Sequence, residues 1–474
     1  MSTVSSVQQV IRRHEPLAEP NPGRLALVDR SLAPAAITLG VLAGLWLLAS
    51  SLLGLIASLQ LHLPDLVAAE ALTYGRVRDL QSVLLNYGWS ANAALAVGLW
   101  VAHRLGRVES RHAWVAVLGA LGWNLALAWG CLSILLGGTT GLPSLELPRE
   151  TGPFMVASFL AVGLWAAVAF SRRHTPHVFA SQWHVLAAVL SFPVLHLLAH
   201  AAVHVWPSDG VLQALVAAWH AHGFLGLFLA PSALAALYYV IPKETGRPIR
   251  GYYLATVAFW LLVTLHAWAG AALLLGSPVP AWIQSTGVVA AVMLLVPAII
   301  VALNLQGTLL QAPRGDRAPA LRFAAAAAHG FLLWILAFAL MSTRSVSARF
   351  RFTEIEQAQG VLALHGFVAL ALFAGLYYLL PRVARREWPS QALVAAHYWL
   401  CLLGTAGAVL ALGALGWIRA DGSAQLPELA RVLNAAASVS FATLLLGHLA
   451  FVANLAALLV LPSRSRGPAP LSDR

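Results

Sequence analysis

The sequence predicts an all-α polytopic membrane protein of twelve transmembrane helices, on three observations. Of 474 residues, 59% are hydrophobic and 10% charged, with a mean hydropathy of +0.77, outside the balance of soluble domains. Runs of roughly 20 apolar residues, enough to cross a ~30 Å hydrocarbon core at ~1.5 Å per residue, recur twelve times. With both termini cytoplasmic, 21 of the 29 Lys and Arg residues fall on inner segments, as the positive-inside rule requires.

The elements follow in order. Residues 1–32 form a polar cytoplasmic segment without the short apolar core and cleavage site of a removable leader, so the first span, near 33–58, serves as insertion signal. The second, 80–103, follows the basic stretch LTYGRVRDLQ; the third, 114–136, holds Cys131; the fourth is 153–171. The fifth, 184–206, carries His196, His200 and His204, and the sixth, 211–241, carries His220 and His222. The seventh, 250–276, contains His266, and the eighth is 283–305. The ninth, 320–342, opens on Ala324 to Ala328, a small-residue run suited to close helix packing. The tenth, 359–381, carries His365; the eleventh, 391–417, holds His397 and Cys401; the twelfth, 437–461, holds His448. A membrane domain of 33–461 thus ends in a cytoplasmic tail, 462–474, rich in Pro, Ser and Arg and expected to be disordered.

Several functions are excluded. The net charge of +11 is explained by a basic inner rim facing anionic lipid and requires no nucleic-acid partner. Cys131 and Cys401 lie in different spans and form no CxxCH, so covalent haem c is not encoded. Walker, Rossmann and HExxH motifs are missing. The loops are too short for a folded domain, so chemistry belongs within the bundle or between subunits. All 18 acidic residues fall at helix ends or outside the expected spans, which disfavours a channel or proton-driven carrier with mid-membrane carboxylates.

Histidine is costly in lipid, and a group of it inside a bundle marks a metal, haem or proton site. Measured from the outer helix ends, His200 and His365 lie ~9 Å deep and His196, His222 and His266 ~15 Å deep. His196, His200 and His204, spaced i, i+4, i+8, share one helix face. A metal site built from His222, His266, His365 and a fifth-span histidine is one reading. The other is structural, each imidazole bonding to a neighbouring helix. That second reading is preferred for His329, His397 and His448, which have no partners at matching depth. His103, His112, His174 and His177 fall at inner helix ends and are expected at the interface, while His14 and His62 lie outside the spans.

Trp219 to Pro280, containing WHAHG, YYVIPKETGRPI, AWAG and the start of SPVPAW, resembles helices six and seven of haem-copper oxidase subunit I, in particular the cbb3-type oxidases and related nitric oxide reductases. LTYGRVRDLQ, RSVSARFRFTE and LYYLLPRVARREWPS extend the resemblance over most of the chain. It implies the twelve-helix fold, a bacterial-type inner membrane, a respiratory complex with a cytochrome c-type or other membrane partner subunit, and haem b with copper.

Residue by residue, the resemblance leaves most of the ligand set unfilled. The low-spin haem ligand position holds Gln81, the adjacent copper pair reads Ala272 and Leu273, and the tenth-span haem ligands become Gln359 and Val361. His222 keeps a copper-ligand position, and His266 replaces the family's catalytic tyrosine. Arg344, Arg349 and Arg351 stand where haem propionates are held, a partnership suited to guanidinium forks. The expectation is therefore an oxidase-family subunit with an altered or lost haem and copper site. If rebuilt, it would hold haem at His365 or copper or zinc at His196, His200, His222 and His266; the alternative is a scaffold that binds none. No residue is assigned a catalytic role.

Overall fold

In lipid each backbone N–H and C=O must be satisfied within its own segment, so long apolar runs fold as helices. A computed structural model describes residues 22–67, 69–206, 208–312, 318–422 and 427–461, and among these no strand occurs. The first 21 residues, the tail, Arg314 and Arg317 lie outside the described residues.

The helices are α1 Pro22–Gln60, α2 from Tyr74 to Gly106, α3 Ala113–Leu135 and α4 Thr151–Ser171. They continue with α5 Ala180–Val205, α6 Val211–Thr245, α7 Tyr253–Leu274, α8 Ala281–Leu309 and α9 Pro319–Met341. A short helix, Arg344–Phe350, precedes α10 Glu354–Ala384, α11 Gln391–Ala420 and α12 Pro427–Val460. Eleven of these are long and apolar enough to cross a membrane, so by that measure the expected twelve is not reached.

The one left out is α2, which carries Asn86, Ser90 and Asn92 in its middle. Ser90 and Asn92 are buried against protein. Asn92 and Asn124 of α3 exchange side-chain hydrogen bonds at 3.1 and 2.8 Å, and Trp46 Nε1 of α1 donates to Asn124 at 2.6 Å. A helix enclosed by others needs less hydropathy than one facing lipid, which is why its apolar signal is weaker.

The expected polar segment also changes: α1 starts at Pro22 rather than 33. Asp29 is buried in this added stretch, accepting from Trp100 Nε1 at 2.9 Å and pairing with Arg104 at 2.5 Å. A paired and hydrogen-bonded carboxylate can be held inside a bundle where an isolated one cannot.

Three helices occupy the centre: α2, buried at every residue from Tyr87 to His103, with α6 and α10. In their most apolar 18-residue windows α6 is 94% buried and α10 78%, against 44% for α1, α3, α4 and α7. Across α9 and α10 the backbones meet closely: a Cβ on Gly330 would fall 1.9 Å from the carbonyl oxygen of Gly366. Small residues permit this approach, as they do in membrane helix pairs generally. The central helices α6 and α10 carry His220, His222 and His365.

Candidate functional site

Among the described residues four helices widen locally into π-helical turns: Leu84–Ser90 in α2, Ala201–Val205 in α5, Phe224–Leu229 in α6 and Leu362–Ala369 in α10. Such turns are rare and recur at functional sites. Here they lie beside His200 and His204, after His222, around His365 and shortly after Gln81.

The histidines fall into three groups rather than one layer. In the first, the α5 stripe behaves as its spacing predicts, with ring centroids of His196 and His200 6.4 Å apart and of His200 and His204 4.7 Å apart. His196 Nδ1 lies 3.3 Å from His220 Nε2, and its ring stacks on Phe192. Gly152 of α4 makes room for His200, since a Cβ there would sit 2.3 Å from His200 Nδ1.

The second group is a pair. His222 Nε2 and His266 Nδ1 are 3.0 Å apart, and both rings stack on α9, against Phe338 and Trp334. Each helix supplies the notch for the other's ring. A Cβ on Gly226, one turn after His222, would meet His266 Nδ1 at 2.4 Å, and one on Gly270, one turn after His266, would meet His222 Cβ at 3.0 Å.

The third group supplies the partners that His397 and His448 were expected to lack; each ring also bonds to a neighbouring helix, His397 to Tyr377 and His448 to Ser51. His397, Cys401 and His448 are buried, with ligand atoms all within 4.8 Å of one another, the one such set of three among the described residues. His365 joins them, its ring parallel to His448 at 6.0 Å. The set drawn from depth is thus divided: His196 and His200 lie in the first group, His222 and His266 in the second, His365 in the third. Depth fixes a position along a helix axis but not which side of the helix faces which neighbour. Cys401 at four residues after His397 was a legible helical spacing; its pairing with α12 was not. His329 bonds to Ala325 O at 2.7 Å, a local structural contact.

Above the first group, the loop between α3 and α4 folds over α2. Tyr87 donates to Ser144 O at 2.6 Å, and Ser82 donates to Glu146 Oε1 at 3.1 Å. Burial pushes the Glu146 carboxyl up to about 7, with the nearby Asp79 adding to the rise.

The three arginines are engaged by the protein. Arg344 donates to Ser285 Oγ at 2.9 Å, and Arg349 pairs with Asp421 at 2.6 Å. Arg351 donates to Leu273 O and, at 3.1 Å, to Ala272 O, and its Nε reaches Ser347 at 3.1 Å. Burial lowers its guanidinium from the ordinary value, opposed by Glu356.

Residues 35–461 match the family described as cytochrome c and quinol oxidase polypeptide I. The chain belongs to that family. It is 27% identical to the cytochrome c oxidase subunit 1 homolog of Agrobacterium tumefaciens, over 79% of this chain and 70% of that one. It is 26% identical to the cbb3-type cytochrome c oxidase subunit CcoN1 of Stutzerimonas stutzeri, over 70% and 72%. In fold it is similar to a haem-copper terminal oxidase solved by cryo-EM, with a TM-score of 0.75 at 15% identity over 93% of this chain and 89% of that one.

Polypeptide I proteins of this kind normally hold haem and copper, so the donor set decides the fit. Haem iron takes a strong axial donor and copper takes imidazole or sulfur. At the positions the sequence motifs assign, Gln81 packs beside Gly54 with its backbone oxygen accepting from Ser50. Val361 packs against a small apolar cluster of Ala358, Ala411, Leu412 and Ala437. Gln359 is half-buried and Ala272 buried. None of these side chains is a strong donor, and aromatic rings pack nearby, Trp89 tilted against Phe373 at 4.5 Å and Trp334 stacked on Phe367 at 5.7 Å. The residues do not fit the family's two haems and copper as the motifs place them.

Proposed function

We propose that this protein is a subunit I-like component of a respiratory membrane complex that has lost the family's dioxygen-reducing haem–copper centre. It acts as a scaffold or assembly partner for another membrane subunit, of cytochrome c type or similar. It sits in a bacterial-type inner membrane with both termini cytoplasmic, an orientation supported by the distribution of Lys and Arg.

The observation that carries the reading is Arg351, whose guanidinium is bound to the carbonyls of Ala272 and Leu273. Those two positions are where the resemblance calls for a pair of copper-ligating imidazoles. An arginine side chain thus closes the end of α7 over two positions, Ala272 and Leu273, whose own side chains offer no imidazole or sulfur to copper. His222, the retained ligand position, spends its Nε2 on His266. Among the described residues the carrier reading has no free mid-membrane carboxylate to support it, since Asp29, seven residues into α1, is bound by Arg104 and Trp100.

The test is turnover. The purified full chain, supplied with an artificial electron donor at an oxygen electrode and then at a nitric oxide electrode, is expected to consume neither gas above a detergent blank. Sustained consumption, lost in His222→Ala, would overturn the proposal.

A further inference from the structure

The group between α11 and α12 is built from opposite sides of a close helix contact. His397 and Cys401 are one turn apart on α11, and Cys401 Sγ lies against Gly447 of α12, where a Cβ would meet it at 3.2 Å. His448 follows Gly447 directly, so the notch that admits the thiol also sets the imidazole beside it. All three residues are at most 2% exposed.

Hydroxyls fix both rings through Nδ1. Ser51 has one O–H, which donates to Leu47 O at 2.6 Å. Its oxygen therefore accepts from His448 Nδ1–H, also at 2.6 Å. In neutral imidazole that leaves Nε2 of His448 with the lone pair. His397 Nδ1 lies 2.9 Å from Tyr377 Oη, while its Nε2 is buried without a hydrogen-bond partner. Metal-ligating histidines are held in this way, one nitrogen tied by a neighbouring polar group and the other presented to the ion.

We propose that His397, Cys401 and His448 bind one cuprous ion. Two imidazoles and a sulfur suit copper by ligand type. Charge selects the monovalent state: Cu⁺ binds as the thiol loses its proton to water, and Cu⁺ with one thiolate is neutral. Zn²⁺ would leave a net positive charge in an interior where the surrounding side chains, Phe373, Phe451, Tyr377 and His365, are uncharged. The site lies on different helices from the family's copper position at α6 and α7, and it stands whether or not the chain turns over. His397 lies six residues into α11, ~9 Å from its start.

The experiment is an anaerobic titration of the purified full chain with Cu⁺ against a chromophoric Cu⁺ chelator, followed by X-ray absorption at the copper edge. Expected are one Cu⁺ per chain and a sulfur scatterer at about 2.3 Å. In Cys401→Ser the sulfur scatterer should vanish and affinity fall more than ~100-fold, whereas Ser51→Ala should keep the sulfur and lose ~10- to 100-fold. Gel filtration of each variant reports folding, and Tyr377→Phe serves as the second probe of ring fixation if Ser51→Ala misfolds. Copper bound equally well by Cys401→Ser, bound copper without sulfur, or Zn²⁺ held in preference to Cu⁺ would each overturn the site.

Discussion

His266 and His222 meet because Gly226 and Gly270 leave space one helical turn beyond each ring, and a methyl group at either place would push them apart. At this scale residue types were legible in the sequence, as were the spacings along one helix, such as His196 to His204. Contacts across helices were not, because a position on one helix says nothing about the rotation of its neighbour. That is why His397 and His448 read as isolated, and why the Arg351 contact with α7 was invisible. Glu146 offers a prediction with a definite sign. Its carboxyl, ordinarily at 4.5, is raised to about 7 by burial, so the folded protein holds this proton more tightly than the unfolded chain. The resulting stability is complete below about 4.5, declines as pH rises, and is gone above about 7. Thermal unfolding in detergent at pH 5 and pH 8 should therefore show a smaller fall in Tm for Glu146→Gln than for the parent. An identical fall in both would contradict the assignment.

Helices were the most legible part of the fold, since length and hydropathy alone separate spans from loops. The departures have physical causes. α1 extends back to Pro22 because Asp29 finds Arg104 and Trp100, and α2 carries polar residues because it is surrounded by protein. The π-helical turns left no trace in the apolar pattern. Close crossings are the testable feature at this level. Gly330→Ala would drive a methyl into the α10 backbone at Gly366 and should destabilise the bundle by ~1–3 kcal/mol or more. Gly413→Ala, on α11 with nothing within 4 Å of its added carbon, should be neutral or stabilising by up to ~1 kcal/mol. Thermal unfolding of the two variants against the parent checks the contrast; equal effects would mean that α9 and α10 are not packed this closely.

For the whole molecule, family and bundle architecture followed from motif blocks spread along the chain, and the match over residues 35–461 agrees with them. The candidate site was legible only as a list of missing donors and surplus histidines. Its three-way division depends on which helices adjoin, a property of the assembled bundle. Fold alone does not confer activity, and here an oxidase bundle surrounds positions held by glutamine, alanine, leucine and valine. The central claim, that the oxidase architecture persists without its haem centre, is tested most directly by haem and iron quantification of the purified chain expressed in a haem-replete host. The account predicts haem and iron far below one per chain and no Soret band. Stoichiometric haem, with a Soret band that disappears in His365→Ala, would contradict it.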